Sequence, residues 1–154
     1  MFSYDEYREI IRIIKSTGRG MGYAEALGRD SFVIMRHDVE YSVERAYALS
    51  LVESRMDFCS TWFFQWTNNS YNILSKRHQD LIRDMKERGH HIGLHFALNG
   101  LTDMQAVRRQ IVKEMRILSD MFGYEISQFS IHRPTQAALA ENIRLPNIIN
   151  AYQE

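Results

Sequence analysis

The chain has 154 residues, with 19 basic and 19 acidic side chains and a single cysteine. This length allows one domain with a sizeable core, and the even charge balance argues against a nucleic-acid-binding surface, which needs a basic excess. One cysteine excludes an internal disulfide framework. No apolar stretch approaches the ~20 residues of a membrane-spanning helix, and the N-terminus lacks the apolar segment of a signal peptide. We therefore expect a cytoplasmic protein that binds neither nucleic acid nor membrane.

Helical and strand-like segments alternate along the sequence. A capping box at Ser3 and Glu6 predicts a helix over residues 3–17, which ends at Gly18. The glycines of residues 18–22 follow a helix rather than a strand, so we interpret them as a connector and not as a phosphate-binding loop. The apolar run Phe32–Arg36 predicts a buried first strand. Further strands are expected over residues 58–64, 90–95, 127–132 and 147–151.

Helices are expected between these strands, over residues 43–56, 76–88 and 136–142, and from a capping box at Thr102 and Gln105 to Gly123. Strands that alternate with helices of about 10–15 residues predict a parallel sheet with right-handed crossovers. A closed eight-stranded barrel typically takes ~250 residues. We therefore expect an α/β fold of about five strands, either an open sheet or a partial or distorted (β/α) barrel, with residues 1–154 forming a single domain.

Polar side chains follow four of the predicted strands. They are His37, Asp38 and Glu40 after the first strand, Gln65 and Trp66 after the second, His95 at the end of the third, and His132 with Arg133 at the end of the fourth. Parallel strands bring these ends to one edge, where β/α proteins carry their sites. Any one of these residues is more often a cap or turn former, but together they predict a metal-assisted hydrolytic site.

His91 and His95 have a spacing that would place both on one metal ion if the segment were helical. Gly93 and the short apolar run favour a strand, in which four residues span ~13 Å. Two imidazoles so far apart cannot bind one zinc ion, whose Zn–N bonds are ~2.0–2.1 Å. We therefore predict His95 as a ligand and His91 as a hydrogen-bonded interior residue.

Four motifs resemble those of the polysaccharide deacetylase family, which has the chitooligosaccharide-deacetylase-like fold. They are RHDVE, STWFF, GHHIGLHF and FSIHRP, which occur in the family's order and at roughly its separations. The likeness extends over residues 32–151 and implies a distorted seven-stranded (β/α) barrel. It also implies hydrolysis of the amide of N-acetylated sugars, with release of their acetyl groups, by a water that a divalent metal activates.

The resemblance assigns roles to individual residues. Asp38 matches the catalytic base, Glu40 and His95 match metal ligands, and Arg133 matches the arginine that holds the base. Asn99 stands at the position of a further histidine ligand, and His132 can serve as the general acid. Apart from the resemblance, Gln65 and Trp66 are expected to bind the substrate because they follow the second strand at the same edge of the sheet. Because this set mixes nitrogen and oxygen ligands, Zn²⁺ is the expected metal.

The sequence departs from the family pattern in ways that leave alternatives open. Asn99 is a poorer ligand than histidine, Glu40 stands for an aspartate, and the family's last motifs lie beyond the last strand. The chain is thus expected to be truncated at its C-terminus or to be a shortened relative. The alternatives to a deacetylase are a catalytically incomplete module that binds a carbohydrate or a protein, and a sugar-isomerase-like β/α enzyme. An incomplete sheet leaves an open edge, so a homo-oligomer is expected.

Overall fold

A computed structural model describes residues 3–18 and 20–152 and shows a five-stranded parallel sheet with helices between the strands. In chain order the elements are α1 Tyr4–Thr17, α2 Tyr23–Ala26, β1 Arg36–Val39, α3 Val43–Arg55, β2 Thr61–Phe64, α4 Lys76–Glu87, β3 His91–Ala97, α5 Met104–Phe122, β4 Gln128–His132, α6 Gln136–Ala140 and β5 Ile149–Asn150. The strands lie in the order β1-β2-β3-β4-β5, and the sheet does not close. The predicted α/β partial barrel is confirmed.

The first strand begins later than the sequence predicts. β1 starts at Arg36, while Phe32 is 48% exposed and Val33 makes an isolated bridge to Gly20. The ladder to β2 begins where the Thr61 N–H donates to the Met35 carbonyl at 2.8 Å. β1 pairs only with β2 among the residues that the structure describes. An edge strand has one neighbour, so the apolar run before it is not buried as a central strand would be.

Local hydrogen bonds set the helix ends. The capping box at Ser3 and Glu6 begins α1 as predicted. At α5, however, the cap is Asp103 and not Thr102, because the Asp103 carboxylate accepts from the N–H groups of Gln105 and Ala106 at 3.1 Å each. The short helix α2 was not predicted. None of the helices within the described ranges combines the length and apolarity that a bilayer-spanning segment requires.

The two faces of the sheet differ in chemistry because successive side chains of a strand point to opposite sides. The outer face packs against the helices and forms the main core, which includes Val39, Phe64, Leu94, Phe96 and Ile131. The inner face carries the polar side chains of the same strands. At its centre a Cβ on Gly93 would lie 2.5 Å from the Phe63 ring, so glycine is needed for Phe63 to lie across β3.

A polar cluster is buried between α1, α3 and the sheet. Glu53 is fully buried and accepts hydrogen bonds from the hydroxyls of Tyr7 and Ser60. The His37 Nε2 atom lies 2.7 Å from the same carboxylate. Burial, and then the charge of Glu53, raise the pKa of the Tyr7 hydroxyl well above its ordinary value. The carboxylate is therefore the common acceptor that joins α1 and β1 to α3.

Candidate metal centre

The Asp38 carboxylate in β1 pairs with Arg36, a residue of the same strand. Arg36 and Asp38 lie two residues apart and therefore share the inner face. The Arg36 Nε and Nη2 atoms donate to the two oxygens of Asp38 at 3.0 and 2.7 Å, and Nη2 also donates to the Tyr152 hydroxyl at 2.8 Å. Burial lowers the pKa of Arg36, but its bonds to Asp38 and Tyr152 outweigh this and raise it. This two-pronged pair fixes the orientation of the Asp38 carboxylate.

Three side chains from three strands meet beside this pair. The Glu40 Oε1 atom lies 2.8 Å from His132 Nδ1 and 3.4 Å from His95 Nε2, and the two imidazole nitrogens lie 3.2 Å apart. His95 is buried, while Glu40 and His132 are half-buried. Each of these residues offers one ligand atom within 4.8 Å of the others. The parallel order of β1, β3 and β4 brings them together, as the strand ends predict.

Ser130 connects His95 to the Asp38 carboxylate. Its hydroxyl lies 2.8 Å from His95 Nδ1 and donates to Asp38 Oδ1 at 3.2 Å. Since the hydroxyl proton goes to Asp38, the serine oxygen accepts the Nδ1 proton of His95. This arrangement leaves the lone pair of His95 on Nε2, which faces Glu40 and His132. Burial lowers the pKa of His95 despite the nearby carboxylates, so the ring is neutral at neutral pH.

The donor set fits a divalent transition metal. One carboxylate and two imidazoles are ligands that Zn²⁺ and its first-row neighbours accept, whereas Mg²⁺ and Ca²⁺ prefer oxygen alone. Ser130 sets the tautomer of His95, which is how metal-binding histidines are usually oriented. The Asp38 and Glu40 carboxylates lie next to these imidazoles, and Arg36 pairs with the carboxylate of Asp38. The residues Glu40, His95 and His132 can therefore hold such an ion.

Two residues do not make the contacts that the sequence predicts for them at the site. Asn99 is exposed in the turn after β3, with a φ of 47°, because β3 continues to Ala97 and ends two residues beyond His95. The third side chain that reaches Glu40 and His95 is instead His132, which was predicted as the general acid. Arg133 is exposed after β4, with a φ of 46°. The guanidinium that pairs with Asp38 belongs to Arg36 and not to Arg133.

The predicted substrate-binding residues have different surroundings. Gln65 is buried and accepts from the Asn68 amide at 2.5 Å. It lines an open polar cavity of about 260 Å³ that is bordered by Glu40, Tyr41, Gln65, Asn68, Asn69, Ser70, His132 and Arg133. Trp66 is half-buried and packs against the main core. Gln65 therefore borders the candidate metal centre, whereas Trp66 contributes to the packing behind it.

A tyrosine that the sequence analysis missed ties the ends of β1 and β2 together. The Tyr71 hydroxyl accepts from the Gln65 N–H at 2.8 Å and donates to the Val39 carbonyl at 2.9 Å. Ser130 and Tyr152 were also missed. The sequence does indicate that Ser130 faces the site, because it lies two residues before His132 and so shares its face of β4. Tyr71 and Tyr152 lie outside the strands, where no periodicity indicates a side chain's direction.

No protein-family model matches the chain, and no curated protein matches it at a significant level. Solved structures do. The Streptococcus pyogenes deacetylase PplD, in complex with acetate, matches 89% of this chain with a TM-score of 0.66 and 13% identity. IcaB from Ammonifex degensii also matches 89% of it, with a TM-score of 0.59 and 18% identity. This chain covers 66% of the PplD chain and 70% of the IcaB chain. The chain therefore has a deacetylase-like fold, as its four motifs predict.

Proposed function

We propose that the protein is a metal-dependent hydrolase that removes acetyl groups from N-acetylated sugars. The observation that carries this proposal is the convergence of Glu40, His95 and His132 within 4.8 Å, next to an Asp38 carboxylate that Arg36 holds in place. Such a site combines a position for a Lewis acid with a general base. The likeness of the fold to the deacetylase PplD, whose structure contains acetate, agrees with this assignment.

In the proposed hydrolysis Asp38 transfers the proton, while Arg36 and Ser130 orient the groups at the site. A bound divalent ion would polarise the amide carbonyl and make a water more acidic. Asp38, which is 29% exposed, accepts a proton from the attacking water as the new C–O bond forms. It returns this proton to the amine nitrogen as the C–N bond breaks, which releases acetate and a free amine. Arg36 keeps the carboxylate oriented throughout, and Ser130 keeps the Nε2 atom of His95 unprotonated.

The polar cavity beside the centre suits a sugar. Gln65, Asn68 and Ser70 present amide and hydroxyl groups, and Arg133 adds a positive charge at the rim. Sugar hydroxyls are recognised by such groups, and the cavity is open, as binding of one unit within a longer chain requires. A larger cleft of about 820 Å³ lies between α2 and β5 and is lined by none of the metal-centre residues. A further open cavity of about 530 Å³ is lined by Asp38 and shares Glu40 and Tyr41 with the polar cavity. We therefore assign the sugar to the polar cavity, with its acetamide group toward the side of Asp38.

The test is acetate release from N-acetylglucosamine oligomers by the intact chain after it has been loaded with Zn²⁺. We expect hydrolysis that chelation abolishes and that Asp38→Asn lowers by at least 100-fold, since one general base contributes about 10²–10⁴-fold. Asp120→Asn, an exposed carboxylate in α5, is the matched control and should keep full activity. Hydrolysis that persists in Asp38→Asn would exclude the assigned base.

The second candidate is a catalytically incomplete module that binds a carbohydrate or a protein. It is favoured by the exposed position of Asn99, which adds no ligand from the turn after β3. Calorimetry with the same oligomers distinguishes the two functions. Binding of the oligomer to zinc-loaded protein without release of acetate would support the module and refute the enzyme.

We also propose that the protein self-associates through the open side of its sheet. β1 pairs on one side only among the described residues, and exposed Leu27 and Phe32 border the cleft between α2 and β5. Open edges and exposed apolar surface of this kind are commonly covered by a partner. Light scattering should give at least twice the mass of one chain, and a mass of one chain would refute the proposal.

A further inference from the structure

A second group of metal-ligating side chains lies at the opposite edge of the sheet. Cys59 precedes β2, His91 begins β3, and Glu25 projects from α2. One ligand atom of each residue lies within 4.8 Å of the other two. His91 and His95 are separated by ~13 Å along β3, so this group cannot share an ion with the candidate metal centre. The two groups are therefore independent in space and in their ligands.

The His91 ring has an unsatisfied nitrogen in this group. Its Nε2 atom is buried and has no hydrogen-bond partner among the residues that the structure describes. The closest carboxylate oxygen is Glu25 Oε1 at 3.8 Å, which is beyond hydrogen-bond distance. Two such donors on one tetrahedral zinc ion lie about 3.3 Å apart, given bonds of about 2.0–2.1 Å. A shift of about half an ångström would therefore bring Glu25 Oε1 and His91 Nε2 to the separation of two ligand atoms on one zinc ion.

The protonation state of His91 is suitable for a ligand. Burial lowers its pKa, and the nearby Glu25 carboxylate only partly offsets this effect. The ring is therefore neutral at neutral pH and offers a lone pair. The sequence predicted His91 to be a hydrogen-bonded interior residue, but its Nε2 atom lacks such a bond. A buried nitrogen without a partner is costly, and an ion would supply the missing interaction.

The segment of residues 20–25, which precedes β1, lies close to this group. A Cβ on Gly22 would lie 2.6 Å from His91 Nε2, so only glycine allows the backbone to approach the ring. The Gly22 N–H donates to Glu25 Oε2 at 3.3 Å, while the other carboxylate oxygen lies nearer to His91. The Cys59 thiol donates to the Gly20 carbonyl at 3.0 Å. A cavity of about 200 Å³, lined in part by Glu25 and Cys59, leaves room for a solvent ligand.

We propose that Glu25, Cys59 and His91 form a second site for Zn²⁺. Thiolate, imidazole and carboxylate are the three protein ligand types that zinc accepts, and solvent completes a tetrahedral site. Binding converts the Cys59 thiol to a thiolate, and its proton leaves to solvent. The ion would join α2 to the segment just before β2 and to the first residue of β3. In β/α proteins this edge of the sheet serves stability rather than catalysis. The proposal does not depend on the proposed hydrolase activity.

Cobalt titration of the intact chain tests this site apart from the other. Cys59 is the only cysteine in the sequence, so a thiolate-to-cobalt charge-transfer absorption in the near ultraviolet reports on this group alone. We expect the band to saturate by two equivalents of Co²⁺ per chain, since the candidate metal centre also takes up cobalt, and to be absent in Cys59→Ser. Glu25→Gln and His91→Gln should each weaken the cobalt affinity read from the band by at least tenfold. Glu40→Gln removes a ligand of the candidate metal centre only, and it should leave the intensity and position of the band at saturating Co²⁺ unchanged.

Two results would overturn the proposal. The first is the absence of the band at saturating Co²⁺ in folded protein, as judged by circular dichroism. The second is a band whose midpoint is the same in Glu25→Gln and in the unaltered chain, because this would mean that the thiolate binds cobalt without the group. The Glu25 side chain is 53% exposed, so Glu25→Gln should fold even if His91→Gln does not.

Discussion

Removal of the Ser130 hydroxyl should weaken zinc binding at the candidate metal centre by about 10–100-fold. The hydroxyl is fully buried, accepts the Nδ1 proton of His95 at 2.8 Å, and donates to Asp38. In Ser130→Ala that proton has no acceptor, so the ring moves it to Nε2, where Glu40 Oε1 at 3.4 Å accepts it. Zinc can then bind Nε2 of His95 only after the proton has moved back to Nδ1. Loss of a partner that orients a metal-binding histidine typically weakens metal affinity by about 10–100-fold, which corresponds to about 1.4–2.7 kcal/mol.

The assay is a competition titration against a chromophoric zinc chelator. It is performed in a Cys59→Ser background, so that only the site of Glu40, His95 and His132 contributes. Ser50→Ala is the matched control, because Ser50 is also fully buried but donates to the backbone carbonyl of Tyr47 within α3. The control should retain zinc affinity within about twofold, a difference of about 0.4 kcal/mol.

One pattern of results would refute this reasoning. If Ser130→Ala binds zinc as tightly as Ser50→Ala does, while Glu40→Gln binds it more weakly, then the site exists but Ser130 does not set the His95 tautomer. A weakening that is equal in Ser130→Ala and Ser50→Ala would mean that general destabilisation explains the effect. Urea denaturation of both variants measures that contribution separately.

Three further substitutions test the buried polar groups and the packing of the sheet. Glu53→Gln removes a charged acceptor of three hydrogen bonds and should lower the free energy of unfolding by about 1.5–3 kcal/mol in urea, whereas exposed Glu125→Gln should not. Burial raises the pKa of Glu114, so its ionisation opposes folding as pH rises above the ordinary carboxyl range. Glu114→Gln should thus stabilise the protein near pH 7 and not near pH 4. Gly93→Ala places a Cβ 2.5 Å from the Phe63 ring and should lower the free energy of unfolding by about 1–3 kcal/mol, measured in urea.

Each of these expectations has a contrary outcome. Equal midpoints for Glu53→Gln and Glu125→Gln would show that the carboxylate is not the common acceptor. A stabilisation by Glu114→Gln that is the same at both pH values would exclude ionisation as its cause. An unchanged midpoint for Gly93→Ala would mean that Phe63 moves freely, and the inner face would then be loosely packed.

The convergence of the site could be predicted from the sequence because it depends on few rules. Parallel strands end at one edge, and alternate residues share a face. Asp38, Glu40, His95 and His132 follow from these two rules and are close together in the structure. The pairing of Arg36 with Asp38 follows from the same alternation, since Arg36 lies two residues before Asp38 and shares its face of β1. The resemblance to the family predicted that Arg133 would pair with Asp38. The alternation of side chains along β1 instead indicates Arg36, which makes this pair in the structure.

The remaining differences arise from contacts that a one-dimensional pattern does not contain. The start of β1 depends on where β2 offers a partner, so an apolar run at Phe32–Met35 does not suffice to form a strand. Asn99 falls outside the site because β3 gains two further residues by pairing Phe96 with Ile131 and Ala97 with His132. Thr102 and Asp103 can each cap a helix, and the choice between them depends on one set of hydrogen bonds.

The strand β3 shows how one element serves both stability and chemistry. Its even positions, Ile92, Leu94 and Phe96, are buried in the main core. Its odd positions carry His91 at the first residue and His95 two residues before the last, and Gly93 between them accommodates the Phe63 ring. Because the two histidines are too far apart to share an ion, each can belong to a separate group of ligands. The spacing that excludes a single HxxxH metal site therefore allows two sites on one strand, with different ligands and different consequences when they are lost.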